Sequence, residues 1–236
     1  MTRVIRPTVA ELTLDEATVL RYLGFKPGVT QVGEQQKQLL ADGIRLASVA
    51  AHPEAAVVDT ELILQENQVI TRSAGLLWQS KSLALLLKNA SRVTIVAATL
   101  GEGSDTLSRQ LFARDEFALA TVVDAVSTTL VHALTRYVAD VLKEEYPGLT
   151  PTPFYGPGYG DWPIADLAGL AQASRGGEIG LTLTTGSLLR PQKSLLGIIG
   201  WLCRPMPAAD DCRGCIKPDC DYRKRPAQFT AEGGEG

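Results

Sequence analysis

The residue types best suited to chemistry sit in two short stretches late in the chain. Cys203, Cys212, Cys215 and Cys220 fall within 18 residues of one another, and no cysteine precedes them. In a reducing compartment, clustered thiols serve more often as metal ligands than as disulfides. Four thiolates with eight, two and four intervening residues could close a tetrahedral site, and the spacing leaves a [4Fe–4S] cluster and a structural zinc equally open. Only Cys212 and Cys215 form a close pair, so free thiols without a metal stay as the plain alternative. Arg223, Lys224 and Arg225 follow directly, a local basic patch suited to an acidic partner surface.

The second stretch runs Phe154-Tyr155-Gly156-Pro157-Gly158-Tyr159-Gly160-Asp161-Trp162-Pro163. Glycine and proline at this density exclude helix and predict a backbone that presents amides and carbonyls to a ligand. Four aromatics crowd that turn in a chain that is only 6% aromatic. Such a loop can clamp a planar ligand while its backbone reads the ligand's edges. A tight aromatic turn that plugs a sheet edge explains the same composition equally well. Thr99-Leu100-Gly101-Glu102-Gly103-Ser104, between a strand and a helix, invites a phosphate-binding reading. The third glycine of the dinucleotide pattern is replaced by Thr106, so a plain strand-to-helix turn is favoured. His52 and His132 are the only histidines, which excludes chemistry built on several imidazoles. His132, with Val131, Leu134 and Val138 near it in a helix, reads first as a half-core residue.

The elements that must position these groups follow from periodicity and caps. Thr13 and Glu16 read as a capping box for a first helix ending at Gly24. A second helix is predicted over 31–50. Val57 to Gln65 and Val69 to Thr71 read as strands, and Ser73 as the cap of a helix reaching Lys88. Val93 to Ala98 is a buried strand. A helix follows from Ser104, and a long one from Glu116 to Glu145, stopped by Pro147 and Gly148. After a short helix over 164–173, Ile179, Leu181 and Leu183 alternate as a strand, and Ser194 to Trp201 forms the last one. Strands and helices mix without regular βαβ alternation, so the expected class is α+β, with a mixed, largely antiparallel sheet flanked by helices. The domains are expected as an α+β body over 1–202, a Cys-rich segment over 203–225 and a disordered tail over 226–236.

The 236 residues carry 23 Lys+Arg and 26 Asp+Glu, a net charge of −3. A general nucleic-acid binder needs a basic surplus, so that class is excluded. The longest strongly apolar run, Leu195 to Cys203, is far short of the ~20 residues of a membrane span, and Met1-Thr2-Arg3-Val4-Ile5-Arg6-Pro7 lacks the apolar core expected of a secretory signal. A cytoplasmic protein is expected, with no membrane association.

The turn Pro157-Gly158-Tyr159-Gly160-Asp161-Trp162-Pro163 resembles the signature of the activation (reactivation) domain of cobalamin-dependent methionine synthase, above all its stand-alone relatives. Val19-Leu20-Arg21-Tyr22-Leu23-Gly24 is similar to that family's opening helix, and Thr99-Leu100-Gly101 to its strand-to-helix turn. Ile179-Gly180-Leu181-Thr182-Leu183-Thr184 and Pro191-Gln192-Lys193-Ser194 match its later sheet. The ending Cys212-x2-Cys215-x4-Cys220-x-Tyr222-Arg223 recurs in stand-alone forms. The resemblance covers roughly residues 14–223.

This resemblance implies a curved α+β domain that binds S-adenosylmethionine and docks on a corrinoid methyl-carrier protein whose cobalt has slipped to Co(II). A flavodoxin- or ferredoxin-type donor would supply one electron, and S-adenosylmethionine the methyl group. By the same resemblance, Gly156, Pro157, Gly158 and Tyr159 belong to the ligand loop, with Tyr159 also facing the corrinoid in a catalytic role. Phe154 stands where the family usually has an arginine that can grip the ligand's carboxylate. His132 stands where an acidic helix residue is usual, and Gly24 where a further acidic contact lies. Two rivals stay open: a corrinoid-protein docking or capping module without S-adenosylmethionine, and an iron–sulfur electron-transfer partner.

Overall fold

The computed structural model describes residues 2–26 and 29–204. Cys212, Cys215, Cys220 and the expected tail lie outside them. The chain opens with β1 (Thr2–Ile5), a short strand that sequence periodicity does not reveal, then α1 (Glu16–Tyr22) and α2 (Glu34–Ala50). Asp15, not the expected Thr13–Glu16 box, caps α1 by accepting a bond from the Ala17 amide at 3.1 Å. β2 (Glu54–Gln65), β3 (Gln68–Thr71) and β4 (Leu77–Gln79) follow, then α3 (Lys81–Leu86), β5 (Ala90–Thr99), α4 (Glu102–Ala113) and α5 (Phe117–Lys143). The chain continues through β6 (Thr150–Pro151), α6 (Leu167–Ala173), β7 (Thr182–Leu183), β8 (Leu189–Arg190) and β9 (Ser194–Leu202).

One seven-stranded antiparallel sheet runs β4-β3-β2-β5-β9-β6. β2 is long enough to take two partners on one edge, β1 along its first half and β3 along its second. Its other edge pairs with β5 from Glu54↔Thr99 to Glu61↔Arg92. The expected α+β class with an antiparallel sheet holds.

Both faces of the central strands are buried, which explains why Val93–Ala98 and Leu195–Leu202 read as continuous apolar runs. Strand residues alternate between two cores. Ala55, Val57, Val96, Ala98, Ile199 and Trp201 face the layer made by α1, α2, α4 and α5. Ala56, Val93, Ile95, Ala97, Leu196 and Ile198 face a second layer of turns and short helices that includes Trp78, Leu83, Trp162, Leu170 and Leu181. α5 is apolar and long enough to cross a membrane by composition, a length the search for unbroken apolar runs missed. Val123, Val126, Leu130, Leu134 and Val138 along it lie inside the first core.

Two local expectations are corrected. The helix expected from Ser73 to Lys88 is instead β4 followed by the shorter α3. Trp78 pairs with Val69 and buries its indole in the second core, and Ser80 then caps α3 by accepting from the Leu83 amide at 3.0 Å. The strand expected across Ile179–Leu183 is a 3-10 turn over Gly176–Ile179, closed by Gly180 at φ +71° and followed by the two-residue β7. Ile179 and Leu181 still enter one core, so the alternation reports burial correctly and backbone wrongly.

The far end of the sheet is tied by a polar cluster. Trp201 Nε1 donates to Thr94 Oγ1 at 2.8 Å, and Thr94 donates to Asp59. Tyr146, after α5, packs on Trp201 with ring centroids 4.5 Å apart, and the Arg92 guanidinium lies 4.9 Å from its ring centre. Burial, then the bond to Asp59, pushes the Tyr146 hydroxyl up to about 12. A raised folded value contributes stability that is complete below the unfolded tyrosine value of about 10 and is lost as pH rises through the folded one. Denaturant titrations are therefore expected to show stability falling between pH ~10 and ~12 in the parent chain, with this component of the fall absent in Tyr146→Phe.

Candidate functional site

The site is built on the second edge of β9, opposite β5. β5 occupies one edge of that strand; the other takes the chain arriving from α5. The Thr152 amide donates to the Gly200 carbonyl at 2.8 Å, and the Gly200 amide donates back to Thr152 Oγ1 at 2.9 Å. Tyr155 and Ile198 then exchange both backbone bonds, at 3.0 and 2.8 Å. This pairing sends Phe154 into the helical core and Tyr155 into the opposite layer. Beyond it the backbones nearly touch. A Cβ at Gly156 would meet the Leu196 carbonyl oxygen at 2.8 Å, and one at Gly197 would meet the Tyr155 carbonyl oxygen at 2.4 Å and the Phe154 ring at 2.6 Å. Glycine at both positions is thus required by the strand contact itself.

The turn that follows closes on itself. The Gly158 amide donates to the Trp162 carbonyl at 2.9 Å, Tyr159 to Gly156 at 3.0 Å and Trp162 to Tyr159 at 3.0 Å. The amides expected to face a ligand are largely spent inside the turn, and the carbonyls of Pro157 and Gly158 remain outside these pairs. Trp162 is fully buried, with Trp78 at 5.1 Å between centroids and Tyr155 stacked at 6.1 Å. Tyr159 meets Tyr155 edge-on at 5.6 Å and is 38% exposed. Asp161 fastens the turn to α3, accepting from Ser80 Oγ at 2.6 Å, the Lys81 amide at 2.8 Å and the Ser82 amide at 3.0 Å. These bonds, Ser80 first, hold its carboxyl well below the usual carboxylate range.

A shallow depression of about 350 Å³ lies beside the turn, lined by Ile164, Leu167, Ser187, Leu188, Leu189, Arg190, Gln192 and Ser194. Ile164 joins the two features, since its Cδ1 lies 3.3 Å from where a Gly158 Cβ would stand. Ile164 and Leu188 in its lining are exposed, as is Tyr159 on the turn. Arg190, Ile164 and Leu188 escaped the sequence reading because they belong to no motif. Lys193 is 13% exposed and sits 2.6 Å from Asp124 and 2.9 Å from Thr128 on α5.

The expected site residues therefore divide between layers. Gly156, Pro157, Gly158 and Tyr159 form one continuous turn, the first two buried and the last two exposed. Phe154 packs in the helical layer, and His132 is half-buried on α5. Gly24 closes α1 at φ +83°, as a C-terminal cap. Cys203 is an exposed free thiol, and among the described residues no three potential ligands gather into a metal site.

No protein-family model and no curated protein matches the chain. Among solved structures it is similar to the crystal structure of the MetH reactivation domain bound to AdoHcy. The TM-score is 0.67 at 13% sequence identity, covering 88% of this chain and 80% of that one. The chain has the fold of that domain, as the turn signature implies.

Asp161→Ala is expected to cost about 1 kcal/mol at neutral pH, the usual worth of a capping contact at an exposed site. A depressed folded value contributes stability present above the unfolded carboxylate value of about 4 and lost as pH falls through the folded one. The gap between parent and variant in urea midpoints should accordingly shrink below pH ~4. A gap of constant size would show that the carboxylate charge contributes nothing to the tie.

Proposed function

We propose that this protein binds S-adenosylmethionine at the Gly156–Tyr159 turn and supports the reductive methylation of a corrinoid carried by a partner protein. The observation that carries the reading is the turn itself, seated on the β9 edge of a fold shared with a reactivation domain crystallised with AdoHcy. The residues present suit the adenosyl part of such a ligand. The exposed Tyr159 ring and Ile164 offer apolar surface to a purine, and the Gly158 carbonyl, which accepts no bond within the turn, can accept its amino protons.

When bound, S-adenosylmethionine supplies the methyl group, which the partner's corrinoid accepts after one electron from a flavodoxin- or ferredoxin-type donor. The chain's own contribution is positioning. The β9 pairing, Asp161 and the Trp78–Trp162 contact hold the turn rigid, so the ligand and the Tyr159 ring are presented with little motion left to lose. Tyr159 is the residue assigned to face the corrinoid.

A second reading rests on Phe154. Its ring is committed to the helical core, so it gives a carboxylate nothing to bind, which favours a docking module that recognises the corrinoid protein without S-adenosylmethionine.

Calorimetric titration separates the two. The proposal expects saturable heat with S-adenosylmethionine. Absence of binding at millimolar ligand, with retention of a Co(II)-state corrinoid methyl-carrier protein in a pull-down, would establish the docking module instead. In the same pull-down Tyr159→Phe should behave as the parent. Tyr159→Ala should lose partner while giving up only about 0.5–1.5 kcal/mol of stability for its edge contact. Equal retention by Tyr159→Ala would leave the aromatic turn a purely structural plug.

A further inference from the structure

We infer that Arg190 is the carboxylate anchor of this protein, holding the amino-acid end of the ligand in the depression beside the turn; the inference rests on the S-adenosylmethionine reading above. Three observations meet here. By the family resemblance, Phe154 stands where an arginine would meet the ligand's carboxylate, and its ring is packed into the helical layer close against Gly197. A cation must therefore come from elsewhere if a carboxylate is to be bound. The depression next to the turn is of a size that takes a small ligand, and its lining is apolar except for Arg190, Gln192, Ser187 and Ser194.

The polar members of that lining are not equally available. Ser194 Oγ is buried and donates to Thr99 Oγ1 at 2.8 Å, and the Gln192 backbone N–H donates to Asp105 Oδ2 at 2.8 Å, while the Gln192 carboxamide is neutral and offers a carboxylate no charge. Lys193, the neighbouring cation, is engaged with Asp124 and Thr128. Arg190 makes no ion pair among the described residues; Arg114 and Arg136 are equally unpaired, but Arg190 is the arginine that lines the depression. An uncommitted guanidinium at the rim of an apolar hollow is the donor that a carboxylate takes in bidentate fashion. Its place on β8 is fixed by pairing with β7, at Thr182↔Arg190. The ligand would then lie across Ile164, with its adenosyl part on the turn and its amino-acid part toward the hairpin.

The test compares two probes on three proteins: S-adenosylmethionine and 5′-methylthioadenosine, which lacks the amino-acid end, titrated against the parent, Arg190→Gln and Arg190→Lys. Arg190 is exposed, and circular dichroism confirms that the variants fold. The expected result is a loss of roughly 10- to 100-fold in S-adenosylmethionine affinity for Arg190→Gln and a smaller loss for Arg190→Lys, which keeps charge without the fork. All three proteins should bind 5′-methylthioadenosine alike. Equal affinity of parent and Arg190→Gln for S-adenosylmethionine would overturn the anchor while leaving the adenosyl site standing. Failure of the parent to bind either probe would overturn the site and the anchor together.

Discussion

Strand β9 is buried on both faces and paired on both edges, and everything at the candidate site hangs from its second edge. A strand so enclosed has no freedom to shift register, because a slip of one residue would exchange the two cores. The chain that pairs with it inherits that rigidity. Thr152 and Tyr155 lock to Gly200 and Ile198, and the close approach of Gly156 to Gly197 leaves no room for a side chain at either position. The aromatic turn therefore begins at a fixed point and in a fixed direction.

From that point two separate devices shape the surface. Asp161 spends its charge on the start of α3, and Trp162 spends its area against Trp78 and Tyr155. Both contacts consume residues that the motif alone would offer to a ligand. What remains exposed is narrow: the Tyr159 ring and the Gly158 backbone, which Ile164 adjoins on its way to the hollow beside the β7–β8 hairpin. The exposed surface is thus shared between the turn and the hairpin, with Phe154 and His132 belonging to the helical layer.

The legible parts of the sequence are those set by local pattern. Val93–Ala98, Ser194–Trp201, the long α5 and the turn itself all follow from apolar runs, caps and glycine–proline density. The illegible parts depend on partners distant in sequence. Trp78 falls inside an expected helix until its pairing with Val69 and its indole contact with Trp162 are known. Ser80 caps α3 in concert with Asp161, 81 residues later. Which layer receives Phe154 is decided by the β9 register, and the availability of Arg190 only by what its neighbours are bonded to. The turn's amides were expected to be open because composition records the presence of glycine and proline, while the hydrogen bonds that close the turn depend on its three-dimensional path.

The central claim is that an adenosyl ligand is read by the turn on the β9 edge. Hydrogen–deuterium exchange with and without S-adenosylmethionine tests it most directly, because it locates binding along the backbone. The account predicts slowed exchange confined to 156–164 and the hairpin over 187–194, with β5 and α5 already protected and unchanged. Protection appearing instead along α2 and α4, or no change anywhere at saturating ligand, would contradict it.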